Sequence, residues 1–303
     1  MSKRVIITGG TGLIGRALSA SLSMDNHQVI VLSRHPEDSP TLPKGVQLTG
    51  WDARTAGGWG NLADGADAVV NLAGAPLNRW WTPRYKRTIR ESRVNAGRAV
   101  VEAVEQAASK PGVVIQASGI GRYGPRGDET VTKETGPGSG FLGQTALAWE
   151  ASTAPVEDLG VRRAIIRSGV ALSTDGGALP LMMLPFRFFL GGPLGSGDQW
   201  FPWIHIEDEV RAIRFLIQNP AAKGPFNMTA PNLVTNAEFS RRLADAMDRP
   251  AFFRVPAFAI RLTLGEMSTV VLHGQRALPE KLLSLGFNFC FPELREALNS
   301  LIE

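Results

Sequence analysis

The chain has 303 residues, of which 44% are hydrophobic and 20% charged, and its formal net charge is +4. This composition excludes a disordered protein, and the length allows one large α/β domain with a smaller lobe. The single cysteine, Cys290, excludes an internal disulfide. No apolar run approaches the length of a bilayer span, and no signal peptide precedes the first apolar strand. We therefore expect a cytoplasmic protein with no membrane partner.

Short apolar runs alternate with helical patterns along the first half of the chain. The runs predict strands at 5–8, 29–32, 46–51, 68–72, 113–118 and 164–167, and the periodic segments predict helices at 83–108 and 142–159. Repeated units of this kind build a doubly wound parallel sheet. The predicted fold class is therefore α/β, with a Rossmann-type sheet and a smaller C-terminal substrate lobe.

Beyond residue 170 the chain becomes rich in glycine, proline and bulky aromatic residues. Such loops over the carboxyl edge of a parallel sheet usually shape a substrate pocket, and a small hydrophobic lobe without a ligand is the alternative. We expect residues 1–170 to form the nucleotide-binding domain, with contributions from about 203–230. Residues 171–303 form the smaller lobe, including a distinct tail over 250–303 that closes with a helix at 292–301.

The segment after the first strand reads GGTGLIG over residues 9–15. Gly9 and Gly12 let the backbone turn tightly and approach phosphates, and Gly15 lets the following helix pack close to the strand. The free N–H groups of the first helical turn then face the anion. The alternative is a tight turn without a ligand, but the surrounding βαβ pattern is the context that a dinucleotide site requires. The predicted cofactor-binding residues of this loop are Gly9, Thr11, Gly12, Leu13, Ile14 and Gly15.

The end of the second strand indicates which dinucleotide binds. An NAD site usually places an acid there for the ribose hydroxyls, whereas this chain has Ser33 and Arg34. The Arg34 guanidinium can pair with a 2′-phosphate, and the Ser33 hydroxyl can donate to it. The two residues therefore favour NADP(H). An arginine that merely ends a strand in solvent is the alternative.

Other functions have weaker support. Basic residues cluster between 84 and 93, but they occupy a predicted helix where a solvated surface is the commoner explanation, so we expect no nucleic-acid partner. The histidines and the one cysteine lack metal-ligand spacing, so we expect no metal. No Gly-x-Ser-x-Gly motif is present, so a hydrolase lacks its nucleophile pattern.

On these residues the chain resembles the epimerase/dehydratase branch of the extended short-chain dehydrogenases/reductases. The glycine motif is similar to that of the branch, and the sequence NLAG at 71–74 resembles its strand-end motif beside adenosine and ribose. The sequence WIHIED at 203–208 is similar to the family's late histidine/aspartate segment. The resemblance implies that Asp52 contacts the adenine ring and that Asn95 is the family's helix asparagine. It completes the predicted cofactor-binding set with Leu72, Ala73, Gly74 and Arg93.

A narrower resemblance covers nearly the whole chain. The sequences RWW at 79–81, GGPLGSG at 191–197 and GQRALP at 274–279 resemble a group called epimerase family proteins, which carry a characteristic C-terminal domain.

The chain departs from the parent family at the catalytic pair. Extended members use Tyr-x-x-x-Lys to exchange a proton with the substrate oxygen. The two tyrosines here, Tyr85 and Tyr123, are followed four residues later by Ile89 and Gly127. Where the helix ending at Glu150 should carry the pair, the sequence reads FLGQTA at 141–146. The resemblance therefore does not transfer ordinary epimerase chemistry to this chain.

Two candidates for catalysis remain, Ser118 and Tyr123. Ser118 matches the family serine that hydrogen-bonds the substrate oxygen. Tyr123 could donate a proton to an alkoxide, or it could serve only packing or a structural hydrogen bond. We expect an NADP(H)-binding oxidoreductase or epimerase-like protein acting on a small carbonyl or sugar-like molecule. The alternative is a weak or inactive NADP(H)-binding sensor or interaction protein, and a homodimer stays open for either.

Overall fold

The computed structural model describes residues 2–37 and 42–302. In chain order the strands are β1 (Arg4–Thr8), β2 (Gln28–Ser33), β3 (Val46–Gly50), β4 (Ala68–Asn71), β5 (Val113–Gly119), β6 (Thr130–Val131), β7 (Arg162–Ser168), β8 (Val170–Leu172), β9 (Trp200–Phe201), β10 (Trp203–His205), β11 (Gly224–Met228), β12 (Val234–Thr235) and β13 (Arg276–Ala277). The α-helices are α1 (Leu13–Met24), α2 (Pro83–Gln106), α3 (Phe141–Ala151), α4 (Leu179–Arg187), α5 (Ile206–Gln218), α6 (Asn236–Ala246), α7 (Ala257–Leu264), α8 (Ser268–Leu272), α9 (Glu280–Ser284) and α10 (Leu294–Ile302).

Seven strands form one parallel sheet in the order β11-β7-β5-β4-β1-β2-β3. The chain leaves β1 on one side to build β2 and β3 and returns on the other side to build β4. Val5 accordingly pairs with Val29 on one neighbour and with Ala68 on the other. Ligands of open α/β sheets bind outside the carboxyl ends of the strands at such a reversal point. The predicted Rossmann-type α/β fold is confirmed.

Alternation of side chains along the strands produces a core on each face of the sheet. Val5 and Ile7 pack with α1 and α5 on one face, whereas Ile6 packs with α2 on the other. A third core lies in the C-terminal part, where residues of α4, α6 and α10 pack together. Among the described residues, no helix has the length and apolar character that crossing a bilayer requires.

The predicted division at residue 170 stays a prediction, but the path of the chain bears on it. Strand β11 returns to the large sheet beside β7, and α5 packs on the face that α1 also covers. Residues 206–228 therefore lie in the second half of the chain but add a strand and a covering helix to the large parallel sheet.

The helix predicted at 142–159 ends earlier, at Ala151. Pro155 stands at the start of a short 3₁₀ helix over Ala154–Val156. A proline inside a helix removes a hydrogen bond and clashes with the carbonyl four residues earlier. The chain therefore turns before Pro155 and enters β7.

Asp208 fastens the C-terminal tail to α5. Its carboxylate is fully buried and accepts hydrogen bonds from the backbone N–H of Cys290 at 2.7 Å and of Phe291 at 2.8 Å. His205 caps the same helix, because its Nδ1 accepts from the N–H of Glu207 at 3.1 Å. The late histidine/aspartate segment thus caps α5 and holds the C-terminal tail against it.

We predict that Asp208→Ala lowers the free energy of unfolding by about 2 to 4 kcal/mol, because two backbone donors lose a charged acceptor in a buried place. Urea unfolding followed by circular dichroism measures the change. Asp198→Ala is the matched control, since Asp198 is exposed. Equal stability of the two variants would contradict this role of Asp208.

Candidate cofactor and substrate site

The glycine loop connects β1 to α1 with close backbone contacts. Gly9 has φ of 66°, and a Cβ there would lie 2.8 Å from the carbonyl carbon of Leu72. A Cβ on Gly15 would lie 2.5 Å from the Cα of Gly10. Helix α1 starts at Leu13, and its N-cap residue, Gly12, supplies no side-chain cap. The N–H groups of the first turn are therefore available to an anion beside the loop. Thr11, Leu13 and Ile14 are half-buried in the same loop and turn.

The ends of β2 and β3 meet next to this loop. The N–H of Trp51 donates to the carbonyl of Ser33 at 3.1 Å, so Ser33 and Asp52 lie on adjoining strand ends. Arg34 is exposed there. The Asp52 carboxylate accepts from the N–H groups of Arg54 and Thr55 at 2.7 and 2.8 Å. Burial opposes ionisation of Asp52, but these hydrogen bonds outweigh it and hold the pKa of Asp52 below its ordinary value.

A buried polar chain crosses the carboxyl ends of three neighbouring strands. Thr8 donates to the Asn71 side chain at 2.6 Å, and Asn71 donates to Gln116 at 2.9 Å. The N–H of Ala73 donates back to the Thr8 hydroxyl at 3.3 Å. These hydrogen bonds fix the path of residues 72–74 over the end of β1. In the sequence, these hydrogen-bonded residues are recognisable as polar residues at the ends of otherwise apolar strands.

Arg93 and Asn95 take different places on α2. The buried Arg93 guanidinium donates to the carbonyls of Ala75 and Ile89, both at 3.0 Å, and lies 4.9 Å from the Trp149 ring. Burial lowers the pKa of Arg93 to about 10. Arg93 lines the large cavity described next. Asn95 is half-buried and is not among the lining residues.

A cavity of about 730 Å³ lies beyond the carboxyl ends of β5 and β7. Ser118 and Arg122 contribute polar groups at its wall. Leu142 and Ala146, four residues apart on α3, line the side where the family places its proton-transfer pair. The larger apolar lining side chains are aromatic: Trp81, Phe141, Trp149, Trp200 and Phe201. The cavity is therefore suited to a flat, largely apolar ligand that carries a few polar groups.

Behind Ser118 lies a buried set of polar side chains that we call the Glu150 cluster: Ser118, Arg122, Tyr123, Glu150, Arg167 and Asn227. Ser118 donates to Oε1 of Glu150 at 2.7 Å. Arg167 donates to both carboxylate oxygens, with Nε 2.9 Å from Oε1 and Nη2 3.0 Å from Oε2. Burial opposes the charge on Arg167, but the hydrogen bonds that Arg167 donates to the Glu150 carboxylate, together with the charge of that carboxylate, outweigh burial and raise the pKa of Arg167. The cluster therefore holds Ser118 at the cavity wall.

Tyr123 lies behind the cavity wall. Its side chain has 0% exposure, and its hydroxyl donates to Oδ1 of Asn227 at 2.7 Å and accepts from Nη1 of Arg167 at 2.8 Å. Burial raises the pKa of the phenol. Tyr123 is not among the lining residues, so its contacts fit the structural alternative. The prediction that it donates a proton to substrate gains no support from them.

Arg122 is the functional residue that sequence reasoning missed. Its Nε lies 3.3 Å from Oε2 of Glu150, yet Nε and Nη1 are buried and make no hydrogen bond within the described part of the chain. Burial lowers the pKa of Arg122, and the Glu150 charge partly offsets this. Arg122 also lines the cavity, so its guanidinium is a candidate donor to a ligand oxygen there. Charged residues among apolar neighbours, such as Arg167 after Ile166, were the available signal for the whole cluster.

Comparison with known proteins gives consistent matches. A family model described as the NAD dependent epimerase/dehydratase family matches residues 5–168, and one described as a domain of unknown function, DUF1731, matches residues 255–301. Epimerase family protein SH2119 of Staphylococcus haemolyticus is 44% identical over 303 residues, which is 99% of each chain.

Solved structures agree. The human epimerase family protein SDR39U1 (isoform 2), crystallised with NADPH, superposes with a TM-score of 0.89 at 33% identity over 99% of both chains. A nucleoside-diphosphate sugar epimerase from Corynebacterium glutamicum gives 0.79 at 34% identity, covering 100% of this chain and 58% of that one. The UDP-N-acetylglucosamine 4-epimerase from Bacillus cereus, at 16% identity and a TM-score of 0.78, shares the fold.

Glu209 is a fully buried carboxyl group next to this cavity. Its Oε1 accepts from the Ser168 hydroxyl at 2.6 Å, and Ser168 lines the cavity. Burial raises the pKa of Glu209 from 4.5 to about 7, although the hydrogen bond from Ser168 opposes this. Between these values the folded state binds more protons than the unfolded state, so the free energy of unfolding falls as the pH rises.

We predict that Glu209→Gln stabilises the protein more at pH 8 than at pH 5, by about 2 kcal/mol, because the amide carries no charge to bury. Urea unfolding at both pH values measures the difference. Glu207→Gln in the same helical turn is the control, since Glu207 is exposed. A gain that does not depend on pH would contradict the prediction.

Proposed function

This chain belongs to the NAD dependent epimerase/dehydratase family, as its motifs predicted, and we propose that it is an NADPH-dependent reductase of a small carbonyl compound. The observation that carries the proposal is a largely apolar cavity beyond the carboxyl ends of β5 and β7 that Ser118 and Arg122 both line. The Glu150 carboxylate behind them contacts both residues. A carbonyl oxygen at this wall would have both residues as hydrogen-bond donors.

The residues of the cavity account for the reduction as follows. NADPH, held by the glycine loop and the end of β2, would supply a hydride to a carbonyl carbon of the substrate. The Arg122 guanidinium, which lines the cavity, would stabilise the negative charge on the substrate oxygen, and Ser118 would orient that oxygen by hydrogen bonding. The alkoxide then takes a proton from water, because α3 presents Leu142 and Ala146 where the family has its proton-transfer pair. Tyr123 acts in this scheme as a positioning residue that holds Arg167.

The residues at the end of β2 support NADP(H) over NAD(H). Ser33 and Arg34 stand at the strand end where an acid would repel the 2′-phosphate, and our proposal assigns Asp52, after the adjoining strand, to the adenine ring. The human relative SDR39U1 was crystallised with NADPH, which agrees with this choice. In this proposal the N–H groups at the start of α1, which no side chain caps, bind the pyrophosphate.

A second function has an observation in its favour. The apolar cavity side of α3 suits an NADP(H)-binding sensor or interaction protein that performs no turnover. In that case binding of the cofactor would change the affinity of the protein for a small molecule in the cavity or for a partner protein. Turnover experiments separate the two functions.

We predict that the protein binds NADPH more tightly than NADH and that Arg34→Ala weakens NADPH binding by about 10- to 100-fold, the equivalent of one charge-assisted phosphate contact. NADH binding stays unchanged. Calorimetric titration measures both affinities, and Arg98→Ala, on the exposed side of α2, is the control. Equal affinity of the wild type for the two cofactors would overturn the assignment.

We predict that Arg122→Gln lowers NADPH-dependent carbonyl reduction by about 10²- to 10³-fold, as expected for removal of an oxyanion donor. NADPH affinity stays unchanged, and Arg126→Gln, which leaves the cavity lining intact, keeps wild-type turnover. The assay follows NADPH absorbance with a series of quinones, aldehydes and nucleotide sugars.

Tyr123→Phe, measured in the same assay, distinguishes a positioning role of the tyrosine from a role as proton donor. A positioning role predicts a small loss of turnover together with reduced thermal stability. A loss of about 10²-fold or more at unchanged stability would make Tyr123 the acid instead. If the wild type reduces no carbonyl compound, the sensor function replaces the reductase.

A further inference from the structure

The C-terminal part carries an exposed surface that combines apolar and basic side chains, which we call the apolar–basic face. Phe252 is 83% exposed and Leu262 is 81% exposed, which is far more than a core or pocket residue shows. The exposed apolar members of the face are Leu181, Leu184, Phe188, Phe189, Leu190, Phe252, Phe253, Phe258 and Leu262. Contiguous exposed apolar patches on this scale mark interaction surfaces.

Backbone pairing joins the two segments of the face. The N–H of Phe253 donates to the carbonyl of Gly191 at 3.2 Å, and the N–H of Val255 donates to the carbonyl of Pro193 at 3.0 Å. Each flanking helix then presents apolar residues spaced by one turn. Leu181 and Leu184 are exposed on α4, and Phe258 and Leu262 are exposed on α7. The face is therefore one surface built from two helices and the paired loops between them.

The charged residues on this face have one sign. Arg187, Arg249, Arg254 and Arg261 are all exposed. Residues 176–197 and 249–264 contain no aspartate or glutamate. The Arg249 guanidinium lies 5.0 Å from the Phe189 ring, so basic and aromatic groups are interleaved. At the ends of the segments, Asp175, Asp198 and Asp248 are exposed, and Glu266 is paired with Lys86 at 2.7 Å.

We propose that the apolar–basic face docks on an anionic lipid bilayer. Aromatic and leucine side chains enter the headgroup boundary while arginines bind lipid phosphates, which is how a surface-bound protein holds a membrane without crossing it. A two-fold contact with a second copy would bring the same four arginines together without acidic partners. The expectation of no membrane partner rested on the lack of a spanning segment, and peripheral docking needs none.

The large cavity adjoins this face. Met182 and Val270 line the cavity, Val270 is itself 48% exposed, and Leu181 of the face neighbours Met182 on α4. A substrate could therefore pass from the bilayer into an aromatic cavity without entering water. We infer, resting on the proposed reductase function, that the carbonyl substrate is lipid-soluble, with the chemistry of a prenylated quinone.

Vesicle flotation with the full chain tests the docking. The wild type should float with phosphatidylcholine vesicles that contain phosphatidylglycerol, should bind pure phosphatidylcholine weakly, and should lose binding as salt rises. Arg254→Gln with Arg261→Gln should lower partitioning about 25-fold, since each basic residue near an anionic surface contributes about fivefold. Phe258→Ser with Leu262→Ser should lower it at least tenfold.

Matched controls lie elsewhere on the surface. Met24→Ser removes a side chain that is 78% exposed at the end of α1, and Arg98→Gln removes an exposed charge on α2. Both should keep wild-type flotation, and all variants should keep NADPH affinity and melting temperature. Wild type that fails to float would overturn the proposal. So would light scattering that shows a dimer which Phe258→Ser with Leu262→Ser dissociates, since the face would then bind a second copy.

The substrate inference has its own readout. The wild type should oxidise NADPH with a prenylated benzoquinone embedded in anionic vesicles, and the face variants should lose this rate while keeping the rate with an unprenylated quinone in water. Reduction of the soluble quinone alone by the wild type would overturn the lipid substrate and leave the reductase intact. Flotation without reduction of either quinone would overturn the quinone substrate and leave the docking intact, and reduction of an aldehyde or nucleotide sugar in the same assay would leave the reductase intact as well.

Discussion

The buried ion pair between Glu150 and Arg167 is the interaction on which the candidate site depends. The guanidinium meets both carboxylate oxygens, at 2.9 and 3.0 Å, where almost no solvent reaches either group. Such a pair stabilises little by itself, but removing one partner leaves an uncompensated buried charge. Ser118, Arg122 and Tyr123 all take their positions from one member of the pair or the other. A substitution of Glu150 or Arg167 would therefore displace the side chains at the cavity wall first.

This cluster explains how the fold can keep a polar centre without the family's tyrosine and lysine. The cofactor half of the site follows the family closely, with a glycine turn at 9–15 whose backbone contacts leave no room for a Cβ on Gly9 or Gly15. The substrate half differs, because α3 turns Leu142 and Ala146 toward the cavity. The Arg122 guanidinium, beside the Glu150 carboxylate, lines the same cavity. The donor set thus favours stabilising negative charge on oxygen over exchanging a proton with it.

The parts of the structure that local patterns determine were predictable, and the parts made by distant contacts were not. Apolar runs such as Val5–Thr8 and the glycine spacing predicted the sheet and the nucleotide loop, because period and turn chemistry are read within a few residues. Ser118 was found through its match to a family serine. Glu150, Arg167 and Asn227 lie on α3, β7 and β11 and meet only when these elements pack together. A charge among apolar neighbours, such as Arg167, therefore indicates a buried ionic group but not its partners. The same reason explains Tyr123: the sequence GRYG does not reveal that the ring is buried behind the strands.

The central claim is that Ser118 and Arg122, held by Glu150, receive a substrate oxygen beside the nicotinamide. A crystal structure with NADP⁺ and a carbonyl ligand tests it most directly. The account predicts that the nicotinamide carbon that exchanges hydride faces the cavity, with a ligand oxygen about 3 Å from Ser118 Oγ and from an Arg122 nitrogen. A nicotinamide outside the cavity, or an Arg122 paired with a cofactor phosphate, would contradict it.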